Sequence, residues 1–542
     1  MKISNHNIDN INPSSNVILD LINYYNSEQY DIAERKALFI TKEFPKHQLS
    51  WKVLAAVFTK KNKNHEALHA NKEALKLDPK DEEVFNNIGL ILQKLGKFKE
   101  AENNLKKAIS LKPDFSQAYF NLGITQKGLG KLEEAEKSYN TALQFQPNYA
   151  QVFNNLGNLL KEKGRLEEAQ SSFRQAIALK PNYAEALCNF GVTLQILGRL
   201  KEAEASYTKA LTLKPDYAEA HNNLGFTLQQ LGRLVEAEES YTKALSFKPD
   251  YAEALYNRGY LLFEKAKYEE ALKDADACIA KEAIVLSLIS LYALGRKDEI
   301  YKRLEIQSKV NKEDISIAAF AAFISEKEKK STAYNFCPNP IEFIHTSNLS
   351  AHVNDSISYI ARLIKELKKV ETTWNPYGKA TVNGFQSIEG KNLFRSSSEK
   401  INQLKSIIIT ELEKYFQKFK NKNCSYIQRF PTLENIVGWH VVLKRTGYQN
   451  AHIHPVGWVS GVIYLKVVPS LGKDEGAIEF SLNGKNYYDV NSPTLKIQPE
   501  KGDIVFFPSS LHHKTIPFST DADRIIISFD LIPESASIRT KL

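Results

Sequence analysis

Through roughly the first half of the chain, apolar positions recur at the three-and-four spacing of amphipathic helices. In Val84-Phe85-Asn86-Asn87-Ile88-Gly89-Leu90-Ile91-Leu92 that spacing predicts a helix, which ends at Gly96. A second helix follows, with Ala101, Leu105 and Ala108 on one face and Pro113 marking the next boundary. From about 436 the pattern changes to short apolar runs, punctuated by Gly447, Gly457, Gly472, Gly476, Asn483-Gly484, Pro499 and Gly502. The runs predict strands over 437–443, 449–454, 459–467, 476–482, 494–498, 503–507, 512–517 and 524–532. So many short strands in so short a stretch imply a sandwich or a jelly-roll barrel. Between the two regimes, 357–369 and 401–419 read as helices. The stretches 374–378 and 383–387 read as loops or edge strands.

The helical part repeats. Pro79, Pro113, Pro147, Pro181, Pro215 and Pro249 stand 34 residues apart. Gly89, Gly123, Gly157, Gly191, Gly225 and Gly259 keep the same step, as do Ala101, Ala135, Ala169, Ala203, Ala237 and Ala271. Gly96, Gly130, Gly164, Gly198 and Gly232 hold it until Ala266 takes the place. Small residues at fixed positions have a packing reason: two helices cross closely there, and a larger side chain would push them apart. The register resembles the tetratricopeptide repeat family, with Trp51, Leu54, Ala55, Phe58, Ala67, Ala74 and Pro79 fitting an earlier copy and Ala33 and Pro45 a degenerate one. The resemblance implies an all-α superhelical solenoid with a concave inner face. After Gly295 the period fades. Residues 297–324 are expected to form two capping helices, and Glu326-Lys327-Glu328-Lys329-Lys330-Ser331-Thr332 a polar hinge. The expected domains are a solenoid over 12–330, with degenerate end repeats, and a jelly-roll domain with flanking helices over 331–542.

One column is not explained by apolar packing. Asn87, Asn121, Asn155, Asn189, Asn223 and Asn257 each precede the repeat glycine by two. Stacked side-chain amides offer a donor and an acceptor at every step, which suits the backbone of an extended peptide. The column resembles the asparagine ladder in the repeats of O-linked N-acetylglucosamine transferase. The other reading is that these amides bond to neighbouring helices.

Composition narrows the classes. At 542 residues the chain is too long for one ordinary core, and 43% hydrophobic with 25% charged residues reads as soluble and globular. A net charge of +9 is spread through Lys-Glu mixtures, which argues for solvated faces and against a nucleic-acid patch. Cys188, Cys278, Cys337 and Cys424 are scattered, with no CxxC, as in a reducing compartment. Residues 1–6 lead into no secretory signal, and no apolar run is long enough to span a membrane. A cytoplasmic protein is expected.

The chemistry gathers between 452 and 524. If 449–454 is a strand, His452 and His454 share a face, and two imidazoles on one barrel-inward face form a metal chelate. His513 lies several strands later, and Arg524 begins the last strand. A buried arginine near an imidazole-bound metal suits a dicarboxylate, because its planar fork meets a carboxylate bidentately. His512 and His513 point to opposite faces of their strand, so only one of them can ligate. His440 has no paired histidine and reads as structural. Trp439 and Trp458 read as core or as the wall of a substrate pocket.

These residues resemble the 2-oxoglutarate- and Fe(II)-dependent oxygenases, specifically a prolyl-hydroxylase-like group. The resemblance rests on His452-Ile453-His454-Pro455, Ser460-Gly461-Val462-Ile463-Tyr464-Leu465, Gly502-Asp503-Ile504-Val505-Phe506-Phe507-Pro508-Ser509, His513 and Arg524. It implies His452, His454 and His513 as ligands of Fe(II), with His513 favoured over His512, and Arg524 as anchor for the cosubstrate 2-oxoglutarate. Tyr464 and Ser528 are placed to reach and bind the 2-oxoglutarate, with core packing as their other reading. The family's usual pattern places a carboxylate where His454 stands. Either three imidazoles hold the metal or a carboxylate such as Glu479 completes the set.

The function implied is a dioxygenase that hydroxylates a protein or peptide side chain recruited by the concave face of the repeats, with no nucleic-acid or membrane partner. One rival is a cupin-type metalloenzyme without 2-oxoglutarate. Against it, the glutamate expected shortly after the histidine pair is missing, and Arg524 fits the oxygenase. The other rival is a non-catalytic adaptor with a degenerate barrel, against which stand all three histidines and the arginine.

Overall fold

A computed structural model describes residues 12–376, 378–388, 392–470 and 474–534. Residues 1–6, Tyr377 and Gly472, which the sequence reading used, lie outside the described residues. Contacts divide the chain into two compact units, Met1–Arg233 and Leu234–Leu542.

The first unit is built of paired helices, from Ser15–Asn26 and Tyr30–Glu43 to Ala184–Ile196 and Leu200–Leu213, followed by Ala218–Gln230. The periodic small residues pack as their spacing predicts. A Cβ on Gly123 would lie 2.5 Å from the Tyr139 ring, and one on Gly89 would lie 2.6 Å from Leu105. Leu105, Tyr139, Phe173 and Tyr207 are completely buried against these glycines. Burial of a large apolar side chain contributes roughly 1.5–3 kcal/mol, so the repeat interior carries most of the stability of each hairpin. Gly96 turns the chain with φ of +71°, a conformation costly for a residue with a Cβ.

In the second unit, helices Leu234–Phe247, Ala252–Glu264, Tyr268–Ala277, Glu282–Ala293, Lys297–Val310 and Ile315–Lys327 precede the sheets. The last is apolar on every side, with Ile315 and all residues from Ile317 to Ile324 buried. A helix of that kind needs cover all round. Phe320 and Phe323 pack on Tyr292 on one side and on Tyr487, from the sheet region, on the other. The terminal helix therefore shares one core with the sheets. Loss of the 34-residue period and the division of contacts are different properties. The first marks where the sequence stops repeating, and the second describes how contacts cluster along the chain.

Among the described residues ten strands follow: β1 (His345–Asn348), β2 (Thr372–Trp374), β3 (Thr381–Ser387), β4 (Ile436–Gln449), β5 (Val459–Lys466), β6 (Ile478–Ser481), β7 (Thr494–Ile497), β8 (Asp503–Pro508), β9 (His512–Thr515) and β10 (Arg524–Leu531). They form two antiparallel sheets, ordered β1-β8-β5-β10-β4-β3-β2 and β7-β6-β9. Helices Ser356–Leu367 and Glu399–Phe419 flank them, as in a jelly-roll-like domain. The expected strand over 449–454 is not formed. β4 continues to Gln449 instead, and beyond it only an isolated bridge joins His452 to His513. Pro455 has no N–H to give a ladder, and the chain turns at Gly457, whose N–H donates to the His454 carbonyl.

Candidate metal centre

His452, His454 and His513 come together although two of them sit on a loop. Backbone bonds hold that loop: His452 and His513 exchange N–H···O bonds of 3.1 and 3.0 Å, and His454 N–H donates to Ser509 O at 3.0 Å. Nitrogen atoms of the three rings lie within 4.8 Å of one another. Nε2 of His452 and Nε2 of His454 are 3.3 Å apart. Bonds of about 2.1 Å to a shared ion require nitrogens roughly 3 Å apart, so the His452–His454 spacing fits a metal.

The tautomers follow from the outer partners. Nδ1–H of His452 donates to Asn450 O (2.7 Å) and Nδ1–H of His513 to Leu511 O (3.2 Å). Nδ1–H of His454 donates to Asp530 Oδ1 at 2.6 Å. A carbonyl or carboxylate oxygen can only accept, so Nδ1 carries a proton in each ring, which in the neutral ring leaves the lone pair on Nε2. Burial pulls His452 down to about 4, and burial with the neighbouring imidazoles holds His513 well below its ordinary value. Those two rings are therefore neutral near pH 7, as ligands must be.

A narrow cavity runs from the histidines to Arg524, with Tyr464, Ser528, Trp439, Gln449 and Thr515 on its walls. Alternation along β10 sets this up, because Arg524, Ile526, Ser528 and Asp530 share one face, opposite Tyr464, Val462 and Ser460 of β5. Arg524 is 1% exposed. Its guanidinium lies 5.1 Å from the Tyr464 ring centre and donates through Nη1 to Gly476 O. No carboxylate among the described residues pairs with it, and its Nε lacks a hydrogen-bond partner. Burial pulls the guanidinium below its ordinary value, and Tyr464 opposes this. A buried cation with unused donors is costly unless an anion joins it. This cavity therefore suits a small carboxylate beside a metal.

The remaining candidates separate cleanly. His512 faces away, its ring 5.7 Å from that of Tyr487. Glu479 pairs with Lys514 at 2.8 Å and is not part of the three-histidine cluster. Trp439 lies beside His454, ring centres 5.5 Å apart. Trp458 is core, donating to Tyr426 O and packed on Phe336. His440 is buried on the strand face opposite Trp439. Asp530 went unnoticed in the sequence. Its signal is a carboxylate inside the apolar run Ile525-Ile526-Ile527-Ser528-Phe529-Asp530-Leu531.

In the asparagine column, Asn121 donates to Asn86 Oδ1 (2.8 Å), Asn189 to Asn154 Oδ1 (3.0 Å) and Asn223 to Cys188 Sγ (3.8 Å), each in the preceding repeat. Asn87 is exposed, and Asn155 and Asn257 are half-buried. Three amides thus spend one donor on repeat stacking, while an amide group has several hydrogen-bonding positions.

The family described as "Putative 2OG-Fe(II) oxygenase" matches residues 438–530. Tetratricopeptide repeat families match 55–96, 82–115, 104–137, 128–164, 157–198, 194–232, 218–251 and 240–273. No curated protein matches the chain. Among solved structures, YrrB, described as a TPR protein with an unusual peptide-binding site, is 25% identical over 35% of this chain and 97% of its own, with a TM-score of 0.30. PilF of Pseudomonas aeruginosa is 21% identical over 38% and 97%, with a TM-score of 0.35. The APC/C hetero-tetramer Cut9-Hcn1 is 16% identical over 55% and 57%, with a TM-score of 0.39. No helix among the described residues is long and apolar enough to cross a membrane.

Proposed function

For a chain in which tetratricopeptide repeats precede a C-terminal domain of the 2OG-Fe(II) oxygenase type, we propose a 2-oxoglutarate- and Fe(II)-dependent dioxygenase that hydroxylates a side chain of a protein or peptide. The observation that carries this reading is the pairing of three convergent imidazole nitrogens with a buried, anion-deficient arginine in one cavity. His452, His454 and His513 would hold the iron through Nε2. Arg524 would take the far carboxylate of 2-oxoglutarate, the Tyr464 hydroxyl would donate to it, and Ser528 lines the same wall. Bound iron would supply the oxidation in which dioxygen and 2-oxoglutarate give succinate and carbon dioxide, one atom of the dioxygen entering the succinate carboxylate and the other a C–H bond of the substrate. The narrow cavity limits water around the anchored carboxylate, which strengthens its bond to Arg524.

Anaerobic titration tests the assignment. Fe(II) with 2-oxoglutarate is expected to give a visible charge-transfer band in the wild type and none in His513→Ala. A wild type with neither band nor succinate release would sink the proposal.

The repeats would recruit the substrate as an extended segment on their concave face, through the amides of Asn87, Asn121, Asn155, Asn189, Asn223 and Asn257. Replacing Asn155, Asn189 and Asn223 together with alanine is expected to weaken capture of substrate about tenfold or more, since lost hydrogen bonds cost roughly 0.5–1.5 kcal/mol each. Unfolding temperature should also fall, because Asn189 holds the buried Asn154 and Asn223 holds Cys188, while the helical circular dichroism of the folded chain is kept. Unchanged substrate binding would leave these amides a purely structural role.

A further inference from the structure

The position that departs from the family's usual ligand set is His454, and the reason lies one shell further out. The three ligand imidazoles have outer partners of two kinds. His452 and His513 donate to neutral backbone carbonyls. His454 alone donates to a carboxylate, Asp530, and at 2.6 Å that is the shortest of the three bonds. We infer that Asp530 is a positioning residue which supplies, through the His454 ring, the negative charge that a ligating carboxylate would otherwise give the metal. The inference rests on the metal site proposed above.

The surroundings of Asp530 are built for this. It is 9% exposed, on the row of β10 that faces the site. Ser460 Oγ donates to the same Oδ1 at 2.6 Å, and Ser460 and Ser509 hydroxyls lie 2.8 Å apart. Both serines are completely buried. The Ser509 carbonyl in turn receives the backbone N–H of His454. Backbone and ring of His454 are thus both tied to one polar cluster. Gly457 completes it, since a Cβ there would come 2.6 Å from Ser509 Oγ and 3.0 Å from Asp530 Cγ. A carboxylate with two donors on one oxygen fixes both the rotation and the tautomer of the imidazole, so Nε2 is held toward His452 Nε2 before any ion arrives. Strong donation from Nδ1–H also makes Nε2 a more electron-rich ligand, which is how an outer carboxylate reaches a metal it does not touch. A directly bound carboxylate at residue 454 would lose this support, because its oxygens would face Asp530 as a like charge. The histidine at 454 and the aspartate at 530 are in this sense one unit.

Co(II), which needs no reductant, is the probe. In the full-length wild type, calorimetry should show one Co(II) site. Asp530→Asn should bind Co(II) about 10–100-fold more weakly, the range seen when an outer partner of a ligand histidine is lost. The metal-free variant should keep the wild-type circular dichroism spectrum. Proton spectra of the Co(II)-loaded wild type provide a measurement that needs no variant. Three exchangeable, hyperfine-shifted imidazole N–H signals are expected, one for each Nδ1–H, and the His454 signal should exchange slowest with water. Only two such signals, or wild-type affinity in Asp530→Asn, would overturn the role of Asp530 while leaving the metal site intact. A wild type that binds no Co(II) would remove both.

Discussion

Arg524→Ala is expected to weaken 2-oxoglutarate binding by about 30-fold or more, because truncating one partner of a buried, hydrogen-bonded charge pair costs roughly 2–5 kcal/mol. The guanidinium is almost wholly buried and has no acidic partner among the described residues, so the cosubstrate would be its counter-ion. Fe(II) binding should survive, since the arginine is not among the clustered ligands. The charge-transfer band should therefore disappear while the metal stays bound. A second consequence has the opposite sign. Without 2-oxoglutarate, Arg524→Met should be as stable as the wild type or more so, because it removes a desolvated cation and retains the apolar stem against Tyr464. Thermal unfolding with and without 2-oxoglutarate checks both effects. Stabilisation by the cosubstrate should be large in the wild type and absent in either variant. A variant that still responds to 2-oxoglutarate would show that the arginine is structural.

A chain beginning at residue 331 is expected not to fold stably, whereas one beginning at 234 should fold. The difference lies in helix Ile315–Lys327, whose Phe320 and Phe323 rings lie 5.2 and 4.7 Å from that of Tyr487. Tyr487 in turn meets His512, next to a proposed ligand on β9. Tyr260 accepts from Asn486, Tyr292 donates to the Tyr488 carbonyl, and both tyrosines come from repeat-type helices. Removing these helices uncovers the apolar side of the loop between β6 and β7. Emptying a large aromatic site in a core typically costs 3–5 kcal/mol, and several such contacts go at once. That exceeds much of the 5–15 kcal/mol by which domains are usually stable. Chemical unfolding of the two shorter chains measures the effect. A cooperative transition of equal midpoint in both would refute the shared core.

The repeat architecture was legible because it is written in local terms. A 34-residue step in glycine, alanine and proline needs no long-range information, and the close contacts at Gly89 and Gly123 follow from it. Strand positions were also legible, from short apolar runs between turn residues. The stretch 449–454 was not. Alternation around His452 and His454 mimics a strand, but Pro455 cannot donate to a ladder and the loop bonds to β9 at one point only. The histidines converge all the same, through backbone bonds to Ser509 and His513 that no spacing rule contains.

By its own pattern the sequence determined the helical repeats, the succession of short strands and the presence of residue types that would suit a metal and a dicarboxylate: His452, His454, His513 and Arg524. Tertiary structure alone decided how these are used. It turned His513 inward and His512 toward Tyr487, since neighbouring residues of a strand face opposite ways and only packing says which way is in. It put Glu479 beside Lys514 and Asp530 behind His454, a pairing that no spacing in the sequence announces. It also joined the last repeat-type helices to the sheets. A helix that is apolar on all sides announces burial but not its partner, and that choice depends on a loop more than 150 residues away in the chain.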